Sequence, residues 1–369
     1  MKNYIIIGNG AAGATAARKI READSEGSIT IFSAEGDPFY YRPRLPDFIA
    51  GIVELPKITL QNSDWYASRQ IDLHLGEMAA EIDSSAREVR SEKGEVFGYD
   101  ALLLATGARS FIPPVPGTDK DGVYALRTFD DARSIAAQAE KVENAILIGG
   151  GLLGLEAGYG LTRRGLKVKV VEFFDRLLPR QMDLAGAFKL EDGRVLEGGL
   201  VLFSAGIRPN LDLAQQIGLE VDKGVKVDNR LMTSQEGVWA AGDLIEHNGR
   251  VYGIWPAALA QGEVAGTNMA GGEALYQGTL MSNSLKVVGV DLTSAGEIDP
   301  EGKLPSAVFE AEGGYRKIVL VEGRMAGYIF LGLTRGIKEC QAALEQETDV
   351  SSFLEEMKEG EFDFSKLIQ

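Results

Sequence analysis

The sequence predicts an α/β protein with two doubly wound parallel sheets followed by a smaller α+β unit, and three observations predict it. The aliphatic run Tyr4-Ile5-Ile6-Ile7 passes directly into Gly8-Asn9-Gly10-Ala11-Ala12-Gly13 and then into a helix-forming stretch, Ala14 to Glu22. The same order returns 141 residues later, where Asn144-Ala145-Ile146-Leu147-Ile148 leads into Gly149-Gly150-Gly151-Leu152-Leu153-Gly154. Beyond Asn268 the pattern changes to β-branched and aromatic runs separated by turns, which reads as an antiparallel sheet.

Composition sets the outer limits. At 369 residues the chain is long enough for two or three domains. A formal charge of −16 argues against nucleic acid and anionic membrane surfaces as partners, because a groove for phosphate backbones needs clustered Lys and Arg. An acidic electron carrier would likewise need a local basic patch. The single cysteine, Cys340, leaves the chain no internal disulfide, no redox-active cysteine pair and no cysteine-rich zinc or iron-sulfur site. Cys340 itself reads as a packed thiol on a helix, and no metal site is expected. No apolar run reaches membrane-spanning length, and the chain enters its first strand by Tyr4 without a signal-peptide pattern. A cytoplasmic protein is expected.

In the first loop, Gly8 permits a tight turn, Gly10 lets backbone N–H groups approach a pyrophosphate, and Gly13 lets helix and strand pack closely. Gly8, Gly10, Ala12 and Gly13 are therefore candidate cofactor contacts. The next strand, Ser28 to Phe32, is followed by Glu35, a carboxylate placed to accept a hydrogen bond from a ribose hydroxyl. Asp37 to Pro46 is a proline-broken aromatic and basic loop, and its Arg42 is a candidate for the cofactor phosphates. A helix around Asn62 to Arg69 and a strand around Asp72 to Leu75 follow, with His74 structural. A strand-rich stretch with a Lys93-Gly94 turn runs to Phe97. The buried strand from Tyr99 ends at Ala105-Thr106-Gly107, where backbone must pass close to something bulky.

The proline-rich segment Phe111 to Gly117 reads as a domain crossover, and a helix, Phe129 to Glu140, leads to the second loop. The strand Lys167 to Val171 ends in Glu172, 21 residues past Gly151, the reach expected of a ribose-binding acid. A carboxylate there accepts from a 2′-hydroxyl and repels a 2′-phosphate, favouring NADH over NADPH, with Arg176 working against that preference. Two such loops at domain-sized separation point to two dinucleotide sites. His247, in the polar run Glu246-His247-Asn248-Gly249, reads as an exposed loop residue. The last unit is expected to hold strands near Ser284 to Val290, Tyr315 to Val321 and Met325 to Leu331, closed by a helix from Thr334 to Gln346 and an acidic tail.

On these motifs the chain resembles the two-dinucleotide-binding-domain flavoproteins of the pyridine nucleotide-disulfide oxidoreductase superfamily. Within them it is most similar to the NADH:rubredoxin and ferredoxin reductases and the flavin part of NADH-dependent nitrite reductases. The motifs that carry the resemblance are Gly8 to Gly13, Tyr41-Arg42-Pro43, Ala105-Thr106-Gly107, Pro113 to Gly117, Gly149 to Glu156, Ala205 to Asn210, and Gly237-Val238-Trp239-Ala240-Ala241-Gly242-Asp243. The resemblance implies two Rossmann-like domains, one for FAD and one, apparently shortened, for NAD, plus an α+β C-terminal domain. The expected boundaries are 1–112 with 210–279 for FAD, 113–209 for NAD (incomplete between 183 and 188), and 280–369 for the C-terminal interface domain.

The resemblance also implies site residues. FAD would contact Gly8, Gly10, Ala12, Gly13, Glu35, Arg42, Thr106, Gly107, Gly242 and Asp243, the last on the ribityl chain. NADH would contact Gly149, Gly151, Leu153, Gly154, Glu172 and Gly206. Glu156 matches the family glutamate near nicotinamide and flavin, and with Arg44 it is assigned to the catalytic group. A helix from about Pro256 would turn its positive end toward the flavin. The third domain would pack over the flavin and take part in dimers.

Two departures from the family pattern matter. The cysteines that disulfide reductases, NADH peroxidases and coenzyme A-disulfide reductases carry near the flavin are missing: the corresponding stretches read Ala14-Thr15-Ala16-Ala17-Arg18 and Arg44-Leu45-Pro46-Asp47. Dithiol chemistry is excluded, and electrons must leave directly from the flavin. Further, the ribose acid and the later strand-end glycine lie 72 residues apart in the first half (Glu35 to Gly107) but 34 apart in the second (Glu172 to Gly206). A helix and a strand are lacking between Asp183 and Phe188, which would expose an apolar sheet edge. The intact flanking motifs favour a sequence interrupted there over a natural deletion.

The expected function is an FAD-dependent NADH oxidoreductase that passes electrons to a small rubredoxin- or ferredoxin-type protein. Arg44, Lys57, Arg316, Lys317 and Arg335 are candidates for a basic docking patch. The alternatives are an NADH oxidase using oxygen and a flavin-bearing electron-transfer subunit of a larger complex that no longer turns over NADH.

Overall fold

The computed structural model describes residues 1–173, 177–178, 182, 198–287 and 290–368. The first sheet has five parallel strands in the order Val238–Ala240, Ala101–Leu104, Asn3–Ile7, Ser28–Ser33, Ile71–Leu75. Asn3–Ile7 lies at its centre, with Ile6 opposite Ile31 on one side and Leu103 on the other. Every residue of Tyr4 to Ile7 and of Ala101 to Leu104 is buried. That is the continuous apolar pattern of strands covered on both faces.

The helix after the first loop is Ala11–Ala23, beginning earlier than the sequence suggests because Gly10 already caps it. It packs against Trp255–Met269. The approach is close enough that a methyl group on Gly262 would sit 2.4 Å from the Ala12 carbonyl oxygen, and one on Gly266 2.6 Å from that of Ala16. These two glycines, one helical turn apart, fix how deep the second helix lies.

The second sheet has four parallel strands ordered Lys167–Val171, Asn144–Ile148, Leu200–Phe203, Val123–Ala125. Among the described residues no strand pairs outside Lys167–Val171, whereas in the first sheet Ile71–Leu75 occupies the corresponding place. The expected interruption between Asp183 and Phe188, the hairpin after it and Arg176 lie outside the described residues. The antiparallel pair of Ala108–Ser110 with Ile207–Pro209 ties the two crossings between the sheets.

The third sheet is antiparallel, ordered Ser282–Val287, Val290–Gly296, Arg324–Leu331, Gly314–Val321, Ser306–Ala311. The sequence reading merged the first two strands into one and missed Ser306–Ala311. It also placed the closing helix from Thr334, whereas it starts at Ile337, after a left-handed Gly336. Cys340 is fully buried on that helix, and burial pushes its thiol up to about 12.

Two expectations about polar residues fail. His247 is not in an exposed loop: it ends the strand Ile245–His247, is 1% exposed, and shares a hydrogen bond of 2.8 Å with Asn229 while its ring meets the edge of Tyr276. Arg316 and Lys317 are 2% and 3% exposed and cannot belong to a docking patch. Arg316 lies between the rings of Phe309 and Phe364 and donates to the Met357 and Glu359 carbonyls. Lys317 donates to the Asp299 carbonyl. Arg335 is exposed and paired with Glu361 at 3.0 Å.

Candidate active site

The two glycine loops have the same geometry. Gly8 has φ +115° and Gly149 φ +109°, values that L side chains rarely adopt. A methyl group on either would lie 2.1 Å from the Ala105 carbonyl oxygen or 2.3 Å from that of Ser204, so each first glycine touches the end of the neighbouring strand. Gly13 and Gly154 are pressed onto Gly8 and Gly149, with hypothetical methyls 1.9 and 2.6 Å from their carbonyl oxygens. The middle glycines differ: a methyl on Gly10 or Gly151 would meet nothing within 4 Å. Outer glycines serve the fold, and middle glycines keep a face open.

The first loop opens on a cleft of about 1250 Å³. Of the candidate residues, Gly8, Gly10, Ala12, Glu35, Arg42, Thr106, Gly107, Leu153, Glu156, Gly242 and Asp243 line it. Gly13, Gly149, Gly151, Gly154, Glu172, Gly206 and Arg44 do not. Gly13 and Gly154 lie behind their loops. At the second loop Glu172 accepts from the Gly150 N–H, and the Leu177 side chain covers Gly150. Arg44 turns away from the cleft wall and pairs with Asp47 at 2.7 Å.

Two arginines cross the cleft. Glu35 accepts from the Tyr40 hydroxyl at 2.6 Å and from Arg42 at 2.7 Å, and Arg42 also donates to the Arg127 carbonyl. Arg127 in turn pairs with Asp243 at 2.6 Å. The cleft's carboxylates at Glu35 and Asp243 thus each hold a guanidinium, and the positive groups lie between them. Arg127 was missed by the sequence reading, although a signal was there: it directly precedes Thr128, whose hydroxyl and the Asp131 carboxylate form a capping box on Phe129–Ala139. Also missed were the aromatic side chains Phe39, Tyr41 and Trp255, which line the cleft, with Phe39 stacked on Trp255 at 5.6 Å and Tyr41 edge-on to it.

Glu156 reaches the same cleft from the helix Leu152–Arg163, one turn beyond the second loop. Burial, with the nearby Asp47 carboxylate adding to it, raises its carboxyl from 4.5 to about 7. The helices Ala11–Ala23 and Trp255–Met269 both begin at the cleft, and their first N–H groups suit an anionic ligand. Asn9 Nδ2 is buried there without a partner. An open middle glycine, two arginines, two carboxylates and an orphaned amide fit a dinucleotide with its phosphates and ribose hydroxyls.

Two glycine cradles on two parallel sheets, with side chains from both halves lining one cleft, define an oxidoreductase fold of the two-dinucleotide kind. The chain belongs to the pyridine nucleotide-disulphide oxidoreductase family, whose model matches residues 2–187 and 184–262, and residues 282–348 match the rubredoxin NAD+ reductase C-terminal domain. Members of this family use FAD and NAD(P)H. The chain is 31% identical over 95% of its length to the assimilatory nitrate reductase electron transfer subunit of Bacillus subtilis, and spans about half (50%) of that protein. It is 30% identical to NADH-rubredoxin oxidoreductase of Clostridium acetobutylicum, over 89% of this chain and 90% of the relative. The crystal structure of the clostridial NADH:rubredoxin oxidoreductase superposes with a TM-score of 0.83 at 27% identity, over 94% of this chain and 96% of that one. Among the described residues no helix is long and apolar enough to cross a membrane, and no cluster of side chains suits a metal ion.

Proposed function

We propose that this chain is an FAD-dependent NADH oxidoreductase that reduces a small electron-carrier protein of the rubredoxin or ferredoxin type. One observation carries the reading: side chains from both dinucleotide-loop halves meet in a single cleft that contains no thiol, the only cysteine being buried in the third sheet's core. FAD, when bound, supplies a hydride acceptor that can release electrons one at a time. The chain's own residues bind and orient. Gly8 to Gly13 and the helix behind them hold the phosphate-bearing half of FAD, Glu35 and Asp243 accept from its hydroxyls, and Arg42 and Arg127 neutralise its phosphates. Gly149 to Gly154 and Glu172 hold NADH, the carboxylate disfavouring a 2′-phosphate. We assign residues 1–112 and 210–279 to the FAD domain, 113–209 to the NAD domain and 280–369 to the interface domain. Without a dithiol, proximity of the two ligands is the main source of rate.

Anaerobic stopped-flow mixing with NADH tests this directly. Flavin bleaching followed by fast reoxidation with oxidised rubredoxin or ferredoxin is the expected result; absence of bleaching would sink the proposal. That second outcome would favour a flavin-bearing subunit of a larger assembly, a reading supported by the likeness to the assimilatory nitrate reductase electron transfer subunit of Bacillus subtilis. Bleaching with fast reoxidation by air alone would point to an oxidase.

A further inference from the structure

The strand Val238–Ala240 ends at the cleft, and a side chain holds the turn that follows it. Ala241 still donates to the Leu104 carbonyl of the neighbouring strand at 3.0 Å. The next N–H, that of Gly242, donates instead to Gln261 Oε1 at 2.8 Å. Gln261 is 1% exposed in the middle of the helix Trp255–Met269, beside Gly262, whose contact with Ala12 fixes how deep that helix lies. A backbone N–H only donates, so the amide oxygen faces Gly242 and the amide nitrogen faces away from it. The nitrogen donates to the Tyr276 hydroxyl at 3.1 Å, and that hydroxyl shares a hydrogen bond of 2.8 Å with Thr279.

Tyr276 is 3% exposed and is held independently of this chain of bonds. Its N–H donates to the Asn229 carbonyl at 2.7 Å, and its ring meets those of His247 and Tyr252 edge-on. A buried amide is costly unless both its ends are bonded, and both ends of Gln261 are. The bonds lead to the cleft at two points. Gly242, with φ +86°, Asp243 and Thr279 line it, while Gln261 and Tyr276 lie behind its wall. Asp243 directly follows the N–H that Gln261 holds, and its carboxylate pairs with Arg127 at 2.6 Å.

We propose that Gln261 is a positioning residue for FAD. Through the Gly242 N–H it sets the turn from which Asp243 reaches the cofactor's hydroxyls, and through Tyr276 and Thr279 it ties that turn to the segment entering the third sheet at Ser282. The amide itself does not touch the ligand. Removing it therefore weakens FAD binding by misplacing Asp243, and has nothing further to weaken once the Asp243 carboxylate is gone. This inference rests on the reading of Asp243 as an FAD contact, and the experiment separates failure of that reading from failure of the positioning.

FAD affinity is measured by flavin-fluorescence titration of the FAD-free full chain in a cycle of Asp243→Ala, Gln261→Met and the double variant. Methionine fills a similar volume and offers only a weak acceptor. Gln261→Met should bind FAD about tenfold more weakly than the wild type, while the double variant should stay within about twofold of Asp243→Ala. In the FAD-free Gln261→Met protein the Gly242 amide should also exchange its hydrogen at least about tenfold faster. Equal losses of affinity in both backgrounds, which core packing alone would give, overturn the proposal, as does an unchanged affinity or an unchanged Gly242 exchange rate in Gln261→Met. If Asp243→Ala binds FAD like the wild type, the reading of Asp243 falls and the positioning role with it. Should Gln261→Met not fold, Tyr276→Phe takes its place in the cycle, since it loses only one hydroxyl. A loss of about threefold seen only where Asp243 is present then supports the proposal, whereas an additive loss or none overturns it.

Discussion

Changing the two glycines of the first loop separately should separate folding from cofactor binding. Gly13→Ala places a methyl 1.9 Å from the Gly8 carbonyl oxygen and 3.1 Å from Ile6 Cγ2, so the helix must move off the strand by more than an ångström. Overpacking of this kind costs about 1–3 kcal/mol. Better helix propensity returns at most about 1 kcal/mol of that. From the middle of that range, about 2 kcal/mol, this leaves roughly 1–2 kcal/mol, and with roughly 2 °C per kcal/mol for a chain of this size the FAD-free protein should melt ~2–4 °C lower. Gly10→Ala is different. Its φ of −85° and ψ of −167° suit any residue, and its methyl meets nothing within 4 Å, so the FAD-free protein should keep its stability to about 0.5 kcal/mol. The same methyl projects into the cleft and should weaken FAD binding at least about tenfold, or ~1.4 kcal/mol. Thermal melts without flavin, paired with flavin-fluorescence titration of the apoprotein, read both quantities. A Gly10→Ala protein that binds FAD like the wild type would refute the assignment of this loop; an unshifted melt in Gly13→Ala would refute the packing argument.

Four further outcomes are expected. Gly262→Ala should destabilise by about 1–3 kcal/mol, because the new methyl would fall 2.4 Å from the Ala12 carbonyl oxygen; an unchanged denaturant midpoint would show that the two helices can slide apart freely. At the edge of the first sheet, the Lys93 ammonium, joined by His74, holds the Glu77 carboxyl down to about 2. That stabilisation is present above the ordinary carboxylate range and is lost as pH falls toward about 2, so wild type and Glu77→Gln should converge in melting temperature under acid. His74 runs the other way: burial alone would lower it, but the hydrogen bonds to Asp72 and Glu77 carry it above its ordinary 6.5. Its contribution is complete below about 6.5 and fades as pH rises through the raised value, and a wild-type minus His74→Gln difference that grows with pH would contradict this. Glu172→Arg should move cofactor preference toward NADPH, and an unchanged ratio of kcat/KM for NADH and NADPH would discredit the carboxylate's role.

What could be read from residues alone was whatever rests on local chain geometry. The two strand, glycine loop and helix units were legible because positive φ demands glycine at Gly8 and Gly149 and close packing demands it at Gly13 and Gly154. The absence of a dithiol was a matter of counting. By contrast, the strands Val290–Gly296 and Ser306–Ala311, and the burial of His247, Arg316 and Lys317, depend on which strands pair and on aromatic rings supplied from far along the chain, and polarity alone pointed the wrong way. Tertiary structure alone decided the charges of the cleft. Arg127 meets Asp243 across 116 residues, and Glu156 reaches from the helix after the second loop into the cleft that the first loop opens on. Long-range electrostatics depends on distance in space, which sequence spacing does not encode; backbone conformation depends on the residue itself, which it does.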